Sequence, residues 1–325
     1  MSIDLSGVET ESGISFEKFQ RLLRATPNSL DAYLGTTEID VALLDSTKTT
    51  VHVRSLLIDG NGKPRFNDLA ERMAQELINY SIPRSDIEIA RELDGTHDTK
   101  HIVKLYRKAK NLFTHLQTSG EGGEMLLYLL IETYLGIPQL LCKMPLKTSG
   151  EMHFHGADGV HCKFDESSED LCIYWGESKL HKKMSNAIGS CFESLKPFVK
   201  PSGGSKSAER RDLELLTDNL DLCDPALEAA ILKYLNPDDV KFNQLKYRGA
   251  ALVGFDTGVY SSDDNVLSND KIRDSVIKAA TSWTKSMSGY LEKHDLKEIE
   301  IEIFCIPFLS VEEFRASVFA ELDLA

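Results

Sequence analysis

Residues 153–179, HFHGADGVHCKFDESSEDLCIYWGESK, constrain this chain more than any other stretch. Two runs rich in β-branched and aromatic residues flank an acidic segment, the pattern of a β-hairpin. Each run carries polar groups that a plain buried strand avoids. Asp158 sits in the bend Gly156-Ala157-Asp158-Gly159, and the second run ends in Glu177-Ser178-Lys179. Residues i and i+2 of a strand share a face. Glu177 and Lys179 therefore stand side by side, with Ile173 and Trp175 behind them. A Glu/Lys pair is ordinarily a solvated edge. Here the strand is otherwise apolar, Gly176 clears space beside the pair, and Asp158 precedes it at hairpin distance.

These groups suit a hard divalent cation. Mg²⁺ is usually held by one or two carboxylates, with waters and substrate phosphate completing the shell. In this reading Asp158 and Glu177 supply the carboxylates, and the Ser178 carbonyl adds a ligand from the opposite face. The cation, Mg²⁺ or Mn²⁺, lowers the pKa of a bound water and stabilises charge at a scissile phosphate. Lys179 orients or helps deprotonate that water and offsets phosphate charge.

A helix over 121–135 precedes the hairpin, opening on Glu121-Gly122-Gly123-Glu124 and closing at Gly136-Ile137-Pro138. An acidic first turn is ordinary helix-dipole chemistry. Two glycines are not, because they weaken a helix and imply close backbone approach. Glu124, Tyr128 and Glu132 form one stripe, and Glu124 is placed to add a metal ligand or hold a ligating water. Downstream, the spacing predicts a helix over 180–198, a buried strand over 245–255 and a long helix over 271–293. A strictly alternating strand follows over 298–306, and a last helix over 311–322. The order helix, three strands, helix, strand, helix, strand is α/β, with a mixed sheet flanked by helices. Residues 201–205, PSGGS, mark a flexible insertion near 200–207.

Upstream, a helix starting at residue 16, a strand over 50–59, a turn at Asp59-Gly60-Asn61-Gly62 and helices over 66–80, 84–93 and 100–118 are expected. None of the first hundred residues carries a chemical constellation. Residues 1–105 read as an N-terminal accessory or partner-binding region, and 106–325 as the catalytic domain. Lys104, Arg107, Lys108 and Lys110 read as a solvated helix face.

The net charge of −14 argues against an autonomous high-affinity coat for DNA, since phosphate contacts come from Lys and Arg. Bound metal restores local positive charge, so a nuclease stays open. Six scattered cysteines without a CxxC pair, no apolar leader and no uninterrupted apolar span predict a cytoplasmic protein with reduced thiols and no membrane segment. No GxSxG motif and no P-loop is present, so ATP use belongs to a partner.

His153, His155, His161 and Cys162 offer a competing zinc reading, but no second ligand pair completes a four-ligand set. His155 and His181 are candidates for contacting phosphate or moving a proton. His181-Lys182-Lys183 opens the helix after the site, which suits phosphate as well as it suits a solvated basic turn. Ser185, Asn186 and Ser190 lie on that helix's polar face.

Asp158, Glu177 and Lys179, with Glu124 on the preceding helix, resemble the motif of the PD-(D/E)xK nuclease superfamily. Ala157 stands where many members have Pro. The combination GEGGE…HFHGADGVHC…LCIYWGESKLH is similar to the HamA effectors of Hachiman anti-phage defence, with AbpA-type proteins as relatives. The resemblance implies a restriction-endonuclease-like core and a Mg²⁺-dependent DNA nuclease restrained until a superfamily-2 helicase partner, HamB-like, engages it. A non-catalytic DNA-binding or partner-docking subunit and a repair or junction-processing nuclease are the alternatives.

Overall fold

The computed structural model describes residues 14–114, 119–146, 156–201, 203–204, 207–260 and 267–324. Its centre is a six-stranded mixed sheet. In chain order the strands are β1 (Leu34–Leu43), β2 (Thr49–Leu56), β3 (Gly159–Asp165), β4 (Asp170–His181), β5 (Leu245–Asp256) and β6 (Ile301–Phe308). They lie side by side as β1-β2-β6-β5-β4-β3. The inner strands β2, β6, β5 and β4 run parallel, and the edges β1 and β3 are antiparallel to their neighbours. The fold is α/β, a mixed sheet flanked by helices.

The helices are α1 (Phe16–Arg21), α2 (Phe66–Gln75), α3 (Leu77–Ser81), α4 (Arg84–Asp94), α5 (Lys100–Lys110), α6 (Glu121–Leu130), α7 (Met184–Val199), α8 (Ala208–Asp218), α9 (Pro225–Leu235), α10 (Asn269–Lys293) and α11 (Val311–Glu321). Parallel strands covered on both faces read as continuous apolar runs, and Ala250–Val253 of β5 are all fully buried. The strict alternation of EIEIEIFCI predicts a strand from 298. The strand instead starts at Ile301 and lies in the middle of the sheet. Its glutamates are used at the sheet's end: Glu300 pairs with Arg248 at 2.8 Å, and Glu302 meets His52 at 2.7 Å.

Four local departures from expectation have physical causes. The helix expected over 66–80 breaks at Glu76, whose φ of −93° and ψ of 6° interrupt it. There the Glu76 carboxylate ties Arg72 and Asn79 at 2.5 and 2.6 Å. The helix expected from 180 begins at Met184, because β4 runs on to His181. Helix α6 widens into a π-turn over Ile131–Leu135 and ends at Gly136 in the left-handed conformation, φ 61°. Strand β1 has no counterpart among the expected elements. Its register on β2 slips between Thr36 and Val41, a bulge that breaks the two-residue period.

Between α6 and α7 the described residues hold two of the three expected strands, with Gln139 making a lone antiparallel bridge to His161. Residues 147–155 lie outside the described chain. Through β2 the N-terminal strands join the same sheet as the hairpin β3–β4. All six cysteines are free.

Candidate active site

The hairpin positions the site. Gly159 pairs with Gly176, so one further step of the same register sets Asp158 across from Glu177. The pairing is tight: a Cβ on Gly176 would sit 3.1 Å from the Gly159 nitrogen and 3.3 Å from Leu127. The Asp158 amide donates to the Gly176 carbonyl at 2.8 Å. The Asp158 carboxylate accepts twice at Oδ2, from the Ser178 amide at 2.7 Å and the Ser178 hydroxyl at 3.0 Å.

Helix α6 covers one face of β4 and α7 the other. A Cβ on Gly123 would meet the Ser178 hydroxyl at 3.2 Å and Leu180 at 3.4 Å, while one on Gly122 would meet Val318 of α11 at 3.2 Å. The glycine pair lets α6 press against β4 and α11 together, and Glu124 follows directly. On the opposite face Trp175 packs on Phe198 of α7, with ring centroids 5.4 Å apart. The Cys191 thiol of α7 reaches the Glu177 carbonyl at 3.5 Å.

Glu177 is only 3% exposed. Burial, then the charge of Asp158, pushes its carboxyl up to about 8, against the pull of Lys179. The Lys179 ammonium donates to Glu177 Oε1. Burial opposes charge on Lys179, but Asp158 and Glu177 outweigh it and raise its pKa. Glu124 adds negative potential at Glu177. It also receives the Tyr80 hydroxyl of α3 at 3.4 Å, whose pKa burial and then Glu124 and Asp158 drive upward. Sequence reasoning had no signal for Tyr80, an aromatic at ordinary helical spacing.

Three carboxyl groups, Asp158, Glu177 and Glu124, thus share the field of one lysine, and burial with that crowding raises the Glu177 carboxyl. A divalent cation placed there would offset that crowding of negative charge. Among the described residues no three His, Cys, Asp or Glu side chains stand close enough to hold a metal together. The arrangement suits an ion that takes one or two carboxylates and keeps its waters, as Mg²⁺ does, not a zinc site closed by four protein ligands.

The HamA family model matches residues 31–322. The chain belongs to the HamA family. No curated protein matched it. Membership associates the chain with Hachiman anti-phage defence. Among the described residues of this HamA-family chain, no helix is long and apolar enough to cross a membrane.

The remaining sequence candidates differ in placement. His153 and His155 lie outside the described residues. In this HamA-family chain His161 is a core histidine: fully buried, its Nδ1 is 3.0 Å from the Ile137 carbonyl oxygen. Burial lowers its pKa to about 4. His181 is half-buried at the end of β4, its Nε2 is 3.3 Å from the Ser190 hydroxyl, and burial, Arg315 and Lys179 all disfavour its charge. Lys182 and Lys183 are exposed, and Lys182 pairs with Glu312 at 2.8 Å. On α5, Lys108 and Lys110 pair with Asp86 and Asp323, as a solvated helix face would.

Glu132, which shares a helical stripe with Glu124, has a different task. Fully buried, it accepts the amides of Arg24 and Ala25, each at 2.8 Å, and of Gln139 at 3.0 Å. It ties the N-terminal segment to the end of α6.

Proposed function

We propose that this HamA-family chain is a metal-dependent DNA nuclease, acting in anti-phage defence with a superfamily-2 helicase subunit. The observation that carries the reading is the hairpin register, which sets Asp158 opposite Glu177 with Lys179 bonded to it. Asp158 and Glu177 would hold the cation. Bound Mg²⁺ supplies Lewis acidity at the phosphate and a more acidic water.

The chain's own groups prepare that chemistry. Ser178 fixes the Asp158 carboxylate in one orientation. The Lys179 ammonium offers positive charge where a phosphate oxygen becomes more negative. Glu124, with Tyr80 on its carboxylate, would hold a water of the cation from the α6 side. Arg315 donates to the Leu180 carbonyl at 2.8 Å beside His181, which gives the DNA backbone a positive approach to an otherwise acidic chain.

Glu177→Ala and Lys179→Ala should each abolish DNA cleavage, assayed with Mg²⁺ and the helicase partner, while circular dichroism and complex formation stay those of the parent. Cleavage that survives either substitution overturns the assignment.

A further inference from the structure

A second buried charge cluster lies directly behind the bend that carries Asp158. Asp212 of α8 is fully buried, and Lys143 has only a tenth of its side chain exposed. They form an ion pair at 3.0 Å. Asp212 Oδ2 also accepts the Ala157 amide at 3.0 Å, and Lys143 donates to the Ala157 carbonyl. Both polar groups of the residue before Asp158 are therefore taken by one ion pair.

The pair closes so tightly on the bend that residue 156 has no room for a side chain. A Cβ there would lie 2.5 Å from Lys143 Nζ and 2.7 and 2.8 Å from the two Asp212 oxygens. Arg211 adds positive charge 3.9 Å from Oδ1.

A buried ion pair is a poor source of net stability, because desolvating both charges offsets their attraction, and apolar replacements often serve as well. Direction is what it supplies that an apolar pair cannot. With the peptide groups on either side of Ala157 fixed, the backbone of Asp158 has one way to leave the bend, and its carboxylate arrives at Ser178.

We propose that Lys143 and Asp212 are positioning residues that aim Asp158. The clamp belongs to the nuclease reading, since it rests on Asp158 as a metal ligand. It ties the site to α8, the helix that follows the segment expected to be flexible.

The test uses the full chain carrying Lys143→Met with Asp212→Leu, which leaves no buried charge unpaired. Two readouts are taken: NMR exchange of the Ser178 amide, which Asp158 holds, and calorimetric titration with Mn²⁺. Supporting residues behind metal ligands typically govern affinity by about 10- to 100-fold. Mn²⁺ binding should weaken by that factor, and the Ser178 amide should exchange at least about tenfold faster, while Leu252 and Val253 of β5 stay protected as in the parent. Unchanged Ser178 exchange overturns the clamp. Should the parent itself bind no Mn²⁺, the nuclease reading fails, and Ser178 exchange alone decides the clamp. Should the double variant not fold, Gly156→Ala, which wedges the pair apart without removing a charge, is read by the same two measurements.

Discussion

Ser178 grips Asp158 at two points, with its amide nitrogen 2.7 Å and its hydroxyl 3.0 Å from the same carboxylate oxygen. The amide bond survives any side-chain substitution, so Ser178→Ala removes half of the grip. A hydrogen bond to a charged group contributes about 1.5–3 kcal/mol, which sets the upper range for lost stability. The sharper effect falls on the cation. Mn²⁺ affinity, read by calorimetry, should drop about tenfold, with the circular dichroism spectrum unchanged.

The spacing of Asp158, Glu177 and Lys179 was a weak signal alone, and it was the glycine-glutamate helix start and the order of elements around the hairpin that made it specific. Glu124 was legible for another reason: two glycines before a glutamate are costly unless a helix must press close, and here it presses on Ser178. Strand β6 and helices α10 and α11 were legible from uninterrupted periodicity, and β5 from its continuous apolar run. What stayed hidden depends on pairing between distant segments. Lys143 and Asp212 lie 69 residues apart, and neither belongs to a motif. Tyr80 reaches Glu124 only because α3 packs beside α6. The register shift in β1 puts Leu34 out of phase with the alternating run over 38–43, so the strand does not read as one period.

The raised pKa of Glu177 predicts how the metal-free protein responds to pH. Its folded carboxyl is raised from an ordinary 4.5 to about 8. Between those values the folded state keeps a proton that the unfolded state has released, so stability contributed by this group falls as pH rises. Urea midpoints of the metal-free chain should decline from pH 5 to pH 8, and Glu177→Gln should remove that decline. A cation binds only the ionised carboxylate, so Mn²⁺ titrated at pH 7 should release protons. That release appears as a binding heat that changes with the ionisation enthalpy of the buffer.

Two glycines in helices should respond oppositely to the same substitution. Gly289 lies on α10, and a Cβ added there would meet nothing within 4 Å. Gly289→Ala should stabilise by about 0.5–1 kcal/mol through helix propensity alone. Gly123→Ala gains the same propensity but places its methyl 3.2 Å from the Ser178 hydroxyl. It should yield no net gain in urea denaturation and should weaken Mn²⁺ binding, because the group it crowds is the one that orients Asp158.

Glu132 gives the cleanest separation of fold from chemistry. It lies two helical turns beyond Glu124 on the same stripe, yet its oxygens are consumed by three backbone amides from two other segments. Alanine leaves three amides without their acceptor in the core, and each buried donor left unsatisfied costs about 1–3 kcal/mol. Glu132→Ala should therefore destabilise by at least about 3 kcal/mol, read from urea denaturation. Glu132→Gln, which keeps an acceptor oxygen and the volume, should fall between the two. Glu124→Gln should do the reverse of Glu132→Ala, leaving the urea midpoint near the parent's and weakening Mn²⁺ binding. A Glu132→Gln protein that folds should bind Mn²⁺ like the parent, because the far end of α6 touches none of the groups around Asp158.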